Sequence, residues 1–446
     1  AFEVANHMVK HSDRLAGIKS GDSERGRKIA MLAERFVVAA FRRPLSAEEK
    51  ARYVTTRFAE GIDPEMALKR VVLLALKSPH FLYVELPAET SKSDRAAERL
   101  SFGLWDSLPD EPLAQAAAKG LLTSRAAVVA QAKRMLGDPR TRAKLQEFFH
   151  HWLQMRYIED MAKDAAAYPD FTPELVEDLR TSLNLFLESV AWGEGADFRE
   201  LLRADYLFAN ARLAKFYGLP EVGEGEGRDA EAFARVRVTD GQRAGVLTHP
   251  FLLAAFSYKN TTSPIHRGVF LTRSVAGRSL KSPPMAVSFN ETEFSPEMTM
   301  RQKVVKLTSS DTCQGCHAVI NPLGFSLEWF DAVGRFRREE KGQAIDAISE
   351  YLTDENQPVR LAGPRDVAEF AIGSEQANFR FIEQLVQHVT KQPPAAVGEE
   401  TLPRLRDSFI ASGYNLQTLL VDIATLYACH GVIAEAAPTS TPKTSP

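Results

Sequence analysis

The sequence of 446 residues is poor in cysteine and contains no long apolar segment. With only three cysteines, its cores must be stable without a disulfide framework. No apolar run has the length that a membrane-spanning helix needs, so no transmembrane segment is predicted. The net charge of −3 argues against nucleic acid as the main partner. A glycine-rich phosphate loop and the motifs G-x-S-x-G and H-E-x-x-H are also missing, so the sequence gives no support for those catalytic classes.

Two of the three cysteines lie together in the segment 311–317, which reads Asp-Thr-Cys-Gln-Gly-Cys-His. This is a C-x-x-C-H motif, the attachment motif for haem c. Each cysteine can form a thioether with one vinyl group of the porphyrin, and the histidine then lies where it can ligate the iron. The sequence therefore predicts one covalently attached haem c, held by Cys313, Cys316 and His317.

A zinc site and a redox-active thiol pair are the alternative interpretations of the motif. Zinc would need further Cys or His ligands at short spacing. The only other cysteine, Cys429, follows more than a hundred residues later, beside His430. A thioredoxin-like pair expects a βαβ context, which the flanking sequence does not indicate. Haem c is preferred, and both alternatives stay open.

The residues after the motif continue Ala-Val-Ile-Asn-Pro-Leu-Gly-Phe, from 318 to 325. In class I cytochromes c, a proline shortly after the histidine ligand offers its carbonyl to the second nitrogen of that ring. Pro322 resembles that proline and is included in the predicted haem site. The physical need is general, because a metal-bound imidazole is oriented by a hydrogen bond at its other nitrogen. The alternative is that Asn-Pro-Leu-Gly simply forms a turn.

The ligand on the far side of the iron is not evident from the sequence. Electron carriers usually have two protein ligands, but all nine methionines precede His317, whereas class I cytochromes place theirs downstream. His388 is the preferred candidate, because it lies on the apolar side of a predicted helix. A core histidine with a satisfied hydrogen bond is its alternative role. The remaining candidates are Met285, Met298, Met300 and His430. An open position is also compatible with the sequence and would favour an enzyme.

Other charged and histidine side chains have weaker functional signals. Arg301 is a candidate contact for the haem propionates, because arginine pairs well with carboxylates, and solvated surface charge is its alternative. Glu328 and Asp331 are spaced i, i+3 on a predicted helix and are expected to be structural. His150 and His151 are adjacent on a helix and point in different directions, so we expect one in the core and one on the surface.

Helix-start signals and amphipathic patterns dominate the chain and predict a mainly α fold. Ser46 opens a capping box with Glu49, and Asp63 precedes a proline at the first helical position. Residues 197–217 are predicted to form two short helices. An alternating pattern at 235–238 predicts a short strand. The helix that begins near residue 300 is expected to carry the two cysteines of the motif.

The chain is predicted to have a helical N-terminal domain, then a cytochrome c-like haem module, then a C-terminal helical module. The predicted boundaries are 1–90 for an N-terminal helical module, 91–220 for a helical domain, 235–342 for the haem module, 343–435 for the C-terminal helical module and 436–446 for a disordered tail. The tail is rich in Pro, Thr, Ser and Ala and cannot bury apolar area.

Several runs in the chain resemble the large cytochrome c-like proteins of planctomycetes and some other bacteria. These proteins are built from serial domains of unknown function around one C-x-x-C-H motif. The runs that carry the resemblance are 41–45 (FRRPL), 78–83 (SPHFLY), 100–105 (LSFGLW), 207–210 (LFAN), 243–248 (RAGVLT), 321–325 (NPLGF) and 330–335 (FDAVGR). Residues 364–430 resemble the terminal helical module of the family. One departure is Leu307, which stands where many relatives have a histidine before the haem cysteines.

The resemblance implies haem c, export and electron transfer, and it supplies no substrate. Covalent haem attachment takes place outside the bacterial cytoplasm, so a periplasmic or extracellular location and a removed export signal are expected. The predicted function is that of an exported monohaem c-type cytochrome with a redox partner protein. The alternatives are a peroxidase-like oxidoreductase with an open axial site, and a haem-containing structural subunit of a larger envelope complex.

Overall fold

The computed structural model describes residues 1–83, 91–155, 158, 161–222, 231–239, 241, 243–281 and 294–433. These residues form 21 α-helices and six short β-strands, which confirms the predicted mainly α fold. The predicted tail 436–446 and the candidate ligand Met285 lie outside the described residues. The chain divides into two compact units, of which the first comprises residues 1–141 with the segment from 424, and the second comprises residues 142–423. The module boundaries predicted from the sequence remain a prediction.

The first unit contains the N-terminal helices. They are α1 (Phe2–Lys10), α2 (Ser12–Ala16), α3 (Arg25–Phe41), α4 (Ala47–Tyr53), α5 (Pro64–Lys77), α6 (Pro79–Leu82), α7 (Lys92–Trp105), α8 (Glu111–Ala118) and α9 (Arg125–Leu136). The predicted capping box at Ser46 is confirmed, as is the cap at Asp63 before Pro64. Helices α3 and α5 pack through apolar side chains such as Val37 and Val71, which are fully buried.

The division between the units falls within two helices, α10 (Pro139–Trp152) and α21 (Leu416–Cys429). The second unit contains every other element. Its remaining helices are α11 (Pro173–Trp192), α12 (Glu200–Arg203), α13 (Ala211–Tyr217), α14 (Pro250–Ala255), α15 (Pro264–Phe270), α16 (Met300–Leu307), α17 (Asp311–Phe325), α18 (Pro364–Gly373), α19 (Glu375–Thr390) and α20 (Thr401–Ala411). Its strands are β1 (Tyr206–Ala209), β2 (Ala234–Arg237), β3 (Glu339–Glu340), β4 (Gln343–Ala344), β5 (Ser349–Leu352) and β6 (Pro358–Leu361).

The six strands form three separate antiparallel pairs, β1 with β2, β3 with β4, and β5 with β6. The predicted strand at 235–238 is therefore present as β2. The two short helices predicted in 197–217 are present as α12 and α13, but the partner strand β1 lies between them and was not predicted. The four residues of β1 alternate between half-buried and buried positions. So short an alternation becomes a strand only because β2 supplies its hydrogen-bond partners from a distant part of the sequence.

The cysteines of the C-x-x-C-H motif do not lie on the helix that begins at Met300, as the sequence had suggested. Helix α16 ends at Leu307, and a new helix, α17, begins at Asp311. The break occurs at Ser310, whose extended backbone (φ −70°, ψ 149°) makes it the N-cap of α17. Serine favours such positions because it competes with helical hydrogen bonding in the helix interior and suits the residue just before a helix.

Helix α17 packs closely against α15. Gly268 lies against the backbone of Ile320, and Gly324 lies against the backbone of Pro264. The guanidinium of Arg267, which is 1% exposed, joins the same helices by donating to the Leu327 carbonyl over 3.1 Å and to further carbonyls just beyond α17. Burial lowers the pKa of Arg267 to about 10, so the side chain stays charged at neutral pH. These contacts fix the helix that carries the motif.

His249, which is fully buried in the second unit, is expected to make stability depend on pH. Burial, with a smaller effect of nearby Arg243, lowers the pKa of His249 to about 3, against an ordinary value of 6.5. The unfolded chain therefore binds a proton more readily, and the free energy of unfolding falls as the pH drops below about 6.5. From His249 alone, we expect the free energy of unfolding to fall by about 1.4 kcal/mol between pH 7.5 and pH 5.5.

Urea unfolding at the two pH values measures this dependence, with His249→Asn as the comparison. In the structure, Nδ1 of His249 accepts from the Phe251 amide at the start of α14, and Nε2 lies 3.2 Å from the Ser182 hydroxyl. Asparagine can also cap a helix but does not titrate. The variant should be less stable and less sensitive to pH, so an unchanged pH dependence would show that His249 is not responsible.

Candidate functional site

Cys313, Cys316 and His317 lie in the first half of α17 at positions i, i+3 and i+4. Residues with this spacing share one face of a helix. All three side chains are partly exposed, and neither cysteine is in a disulfide. Asp311 in the first turn suits the positive end of the helix dipole. The local fold therefore presents two reduced thiols and one imidazole together on an accessible helix face.

The side-chain amide of Asn321 connects His317 to the end of α16. Nδ1 of His317 lies 3.0 Å from Oδ1 of Asn321. The amide nitrogen of Asn321 donates to the Thr308 hydroxyl over 2.9 Å, and that hydroxyl donates to the Val304 carbonyl over 2.8 Å. Asn321 is 7% exposed and Thr308 is 2% exposed, so water competes little for these groups. We call this arrangement the Thr308–Asn321–His317 chain.

The direction of each hydrogen bond in this chain follows from the one before it. The single hydroxyl proton of Thr308 goes to a backbone carbonyl, so its oxygen accepts from the amide of Asn321. The Asn321 carbonyl oxygen then faces His317 and can only accept. His317 therefore carries its proton on Nδ1, and Nε2 keeps the lone pair that a metal ligand needs. No described residue forms a hydrogen bond with that Nε2 atom.

Pro322 lies inside α17, and its carbonyl accepts from the Ser326 amide over 3.4 Å. The segment Asn-Pro-Leu-Gly is thus helical and is not a turn. The hydrogen bond that Nδ1 of His317 makes in the structure goes to Asn321, the residue before the proline. A role of Pro322 in orienting the histidine remains a prediction. The sequence analysis overlooked Asn321, although its position four residues after His317 on a helix was a signal for contact.

Arg301 lies on α16 and is bound to the segment before β5. It donates to the carbonyls of Asp346 and Ile348 over 2.8 and 2.7 Å, and its guanidinium lies 4.5 Å from the ring centre of Phe325. It also lines a cavity of about 510 Å³, together with Lys306 and other residues of α16 and of β3 and β4. A contact of Arg301 with haem propionates remains a prediction, and it would have to be made alongside these bonds.

His388 lies on α19 and is only partly buried. Its Nε2 atom lies 3.2 Å from the Lys144 carbonyl, to which it donates, and its ring packs edge-on against Phe148. To ligate iron through Nε2, His388 would have to give up the hydrogen bond to Lys144. Its role as a ligand stays a prediction, and the contacts are those of a histidine that helps to join α10 to α19.

The other distal candidates differ in their surroundings. Met300, the first residue of α16, is 1% exposed, and Met298 just before it is half-buried. His430 is exposed and belongs to the first unit, whereas the motif belongs to the second. Met285 lies outside the described residues. The distal ligand therefore remains a prediction.

Glu328 is fully buried just after α17, and burial raises the pKa of its carboxyl group. Its Oε2 atom accepts from the Thr262 hydroxyl over 3.2 Å and from Arg337 over 3.0 Å. These contacts are those of a structural carboxylate. His150 is held by the Asn184 side chain at 2.8 Å, while its neighbour on α10 is exposed.

Within the described ranges, no three or more His, Cys, Asp or Glu side chains are grouped so that they could hold a metal ion. In the same part of the chain, none of the helices combines the length and apolarity required to cross a membrane.

Two segments of the chain match models of known families. Residues 92–219 match PSD4, protein of unknown function (DUF1592), and residues 243–340 match PSCyt3, protein of unknown function (DUF1588). Both are planctomycete cytochrome c-like domains. They are consistent with a multi-module family of the kind that the sequence resembles. The second match spans α15, α16 and α17, and so includes the whole C-x-x-C-H motif. Comparisons with curated proteins and with solved structures gave no match.

Proposed function

We propose that this protein is an exported c-type cytochrome that binds one haem covalently and transfers electrons to or from a partner protein. The observation that carries the proposal is the face of α17 on which two reduced thiols stand beside an imidazole with a free Nε2 atom. This tautomer suits ligation of a metal through Nε2, and thiol redox chemistry by itself does not require it. Zinc would need at least one further ligand beside Cys313, Cys316 and His317. The match to a PSCyt3 domain over the same residues supports the same conclusion.

Bound haem would supply one-electron chemistry at its iron. Cys313 and Cys316 would anchor the porphyrin, and His317 would ligate the iron through Nε2. Asn321 would hold the imidazole in place, because an oriented second hydrogen bond fixes both the ring and its tautomer. The partial exposure of all three attachment residues supports electron transfer at the protein surface, which needs no substrate pocket.

Covalent haem attachment is tested by a pyridine haemochrome assay on protein matured with the bacterial cytochrome c machinery. We expect c-type bands in the unchanged chain, a changed spectrum with one thioether in Cys313→Ser or Cys316→Ser, and no retained haem in the double variant. Cys429→Ser is the matched control, since this third cysteine is buried outside the motif. Bands lost equally in the Cys429 variant, or no bands at all, would refute the proposal.

An oxidoreductase with an open axial position is the second candidate function. The observation that favours it is that His388, the preferred distal ligand, already donates through Nε2 to the Lys144 carbonyl. Carbon monoxide binding to the reduced protein separates the two functions. Slow or absent binding would indicate two protein ligands and an electron carrier, whereas rapid stoichiometric binding would indicate an open position.

Location and partners are also part of the proposal. Haem c attachment implies a periplasmic or extracellular site, and an electron carrier implies a redox partner protein. Membership of a larger envelope complex, with the haem in a partly structural role, is a further alternative for the same residues.

A further inference from the structure

A second cavity in the same unit has an unusual charge composition. Its volume is about 380 Å³, which lies within the range of small-molecule sites, about 300–1,000 Å³. The described residues that line it include three arginines, one histidine and three glutamines, and none of them is acidic. The lining residues that matter here are His151, Arg273, Arg278, Arg380, Gln384 and Gln387. We call it the arginine cavity.

The three arginines differ in how far their charge is already neutralised. Arg278 forms an ion pair with Asp354 and donates to the Leu352 carbonyl over 2.9 Å. Arg380 forms an ion pair with Glu383 at 2.6 Å. Arg273 has no hydrogen bond or ion pair with any described residue. Among the described residues, none compensates the charge of the Arg273 guanidinium, which is exposed at the cavity.

The backbone that carries Arg273 is held in a defined position. Arg273 lies in a π-helical turn, Leu271–Val275, that continues α15. The indole of Trp152 donates to the Ser274 carbonyl over 2.7 Å, and the Gln154 amide donates to the Ser274 hydroxyl over 3.2 Å. Single π-helical turns inside α-helices frequently occur at functional sites. The turn thus places Arg273 at the cavity, while its two neighbours in sequence, Thr272 and Ser274, are buried.

We propose that the arginine cavity binds a small molecule through an oxyanion group, either carboxylate, phosphate or sulfate. The guanidinium of Arg273 offers a planar pair of N–H donors that matches two oxygens of such a group. The side-chain amides of Gln384 and Gln387, one turn apart on α19, have no described partner and supply further donors. A cationic ligand would meet only like charge here, and a neutral one would leave Arg273 uncompensated.

The test is isothermal titration of the whole haem-loaded protein with sodium phosphate, sulfate and citrate at constant ionic strength. We expect saturable binding of at least one anion, and the three titrations identify which oxyanion it is. In Arg273→Gln the affinity should fall by about tenfold or more, the size expected for one charged hydrogen-bonding partner. Arg365→Gln is the matched control, because Arg365 is also exposed, on α18, but lies outside the cavity.

Two results would overturn the proposal. One is heat that never saturates with any of the three anions, and the other is an equal loss of affinity in the Arg273 and Arg365 variants. If Arg273→Gln does not fold, modification of the unchanged protein with phenylglyoxal gives a second measurement. A bound anion should protect Arg273 but not Arg365. The same anion titration can be run on the Cys313→Ser/Cys316→Ser protein. Anion binding is therefore tested separately from haem attachment.

Discussion

Replacing Asn321 by alanine is expected to weaken the bond between His317 and the haem iron by about 10- to 100-fold. That is the usual effect of removing a hydrogen-bond partner from a metal-bound histidine. The reason here is specific, because Asn321 is the acceptor that keeps the proton of His317 on Nδ1 and the lone pair on Nε2. Without it, the ring can rotate and can adopt the other tautomer.

Acid titration of the haem spectrum measures this effect. Protons compete with the iron for Nε2 of His317, so a weaker bond is lost at a higher pH. The midpoint of the acid transition should rise by about 1 to 2 pH units in Asn321→Ala. Nitrogen-15 NMR of the protein without haem gives a second readout. The unchanged chain should show the Nδ1–H tautomer of His317, and the variant should show a mixture.

Two threonine variants make the test specific. Thr308→Val removes the hydroxyl that orients the Asn321 amide, so it should shift the midpoint in the same direction by a smaller amount. Thr272→Val is the control, because Thr272 is equally buried and bonds back to the Gly268 carbonyl in the same way, without contacting His317. Equal shifts of the acid midpoint in the two threonine variants would mean that the Thr308–Asn321–His317 chain does not orient His317.

Gly324→Ala is expected to destabilise the second unit strongly, although alanine is the better helix former. A methyl group at this position would overlap the carbonyl of Pro264 and approach the amide of Gly268. Both are backbone atoms of α15, which cannot move away as a flexible side chain can. Overpacking of this kind costs about 1–3 kcal/mol, and more where the contact is rigid, whereas helix propensity returns only about 1 kcal/mol.

Chemical denaturation of the variant and the unchanged chain, in the same haem state, measures the difference. Gly315→Ala is the matched control, since Gly315 lies on the same helix and an added methyl group there meets no atom within 4 Å. The control should be as stable as the unchanged chain or slightly more stable. If Gly324→Ala behaves like the control, the close approach of α15 and α17 is not rigid.

The fold was predictable where its signals are local. The capping box at Ser46 and the proline after Asp63 begin helices because the side chains that stabilise each first turn are close in sequence. Helix α11 begins directly after Thr172 for the same reason, because the Thr172 side chain accepts from the Leu175 amide in the first turn. Strand β1 was missed, because its hydrogen-bond partner β2 begins at Ala234, and no local sequence pattern indicates a pairing over that separation. The start of α17 at Asp311 was also missed, since the break between α16 and α17 spans only residues 308–310.

The candidate site divides in the same way. Cys313, Cys316 and His317 were identified from their order alone, because thioether formation and iron ligation need residues that are neighbours on one helix turn. The contact with Asn321 was within reach of the sequence, since i, i+4 spacing on a helix implies it. The orientation of the Asn321 side chain was not predictable from the sequence, because it depends on Thr308, the residue directly after α16.

The sequence by itself determined which residues form the C-x-x-C-H motif and the mainly α class, since both depend on residues close together in the chain. The tertiary structure alone decided two other properties. It set the tautomer of His317 through contacts between α16 and α17, and it gathered Arg273 and Gln384 from separate elements around one cavity. Hydrogen-bond direction and charge compensation depend on which groups meet in space, so no local pattern could have determined them.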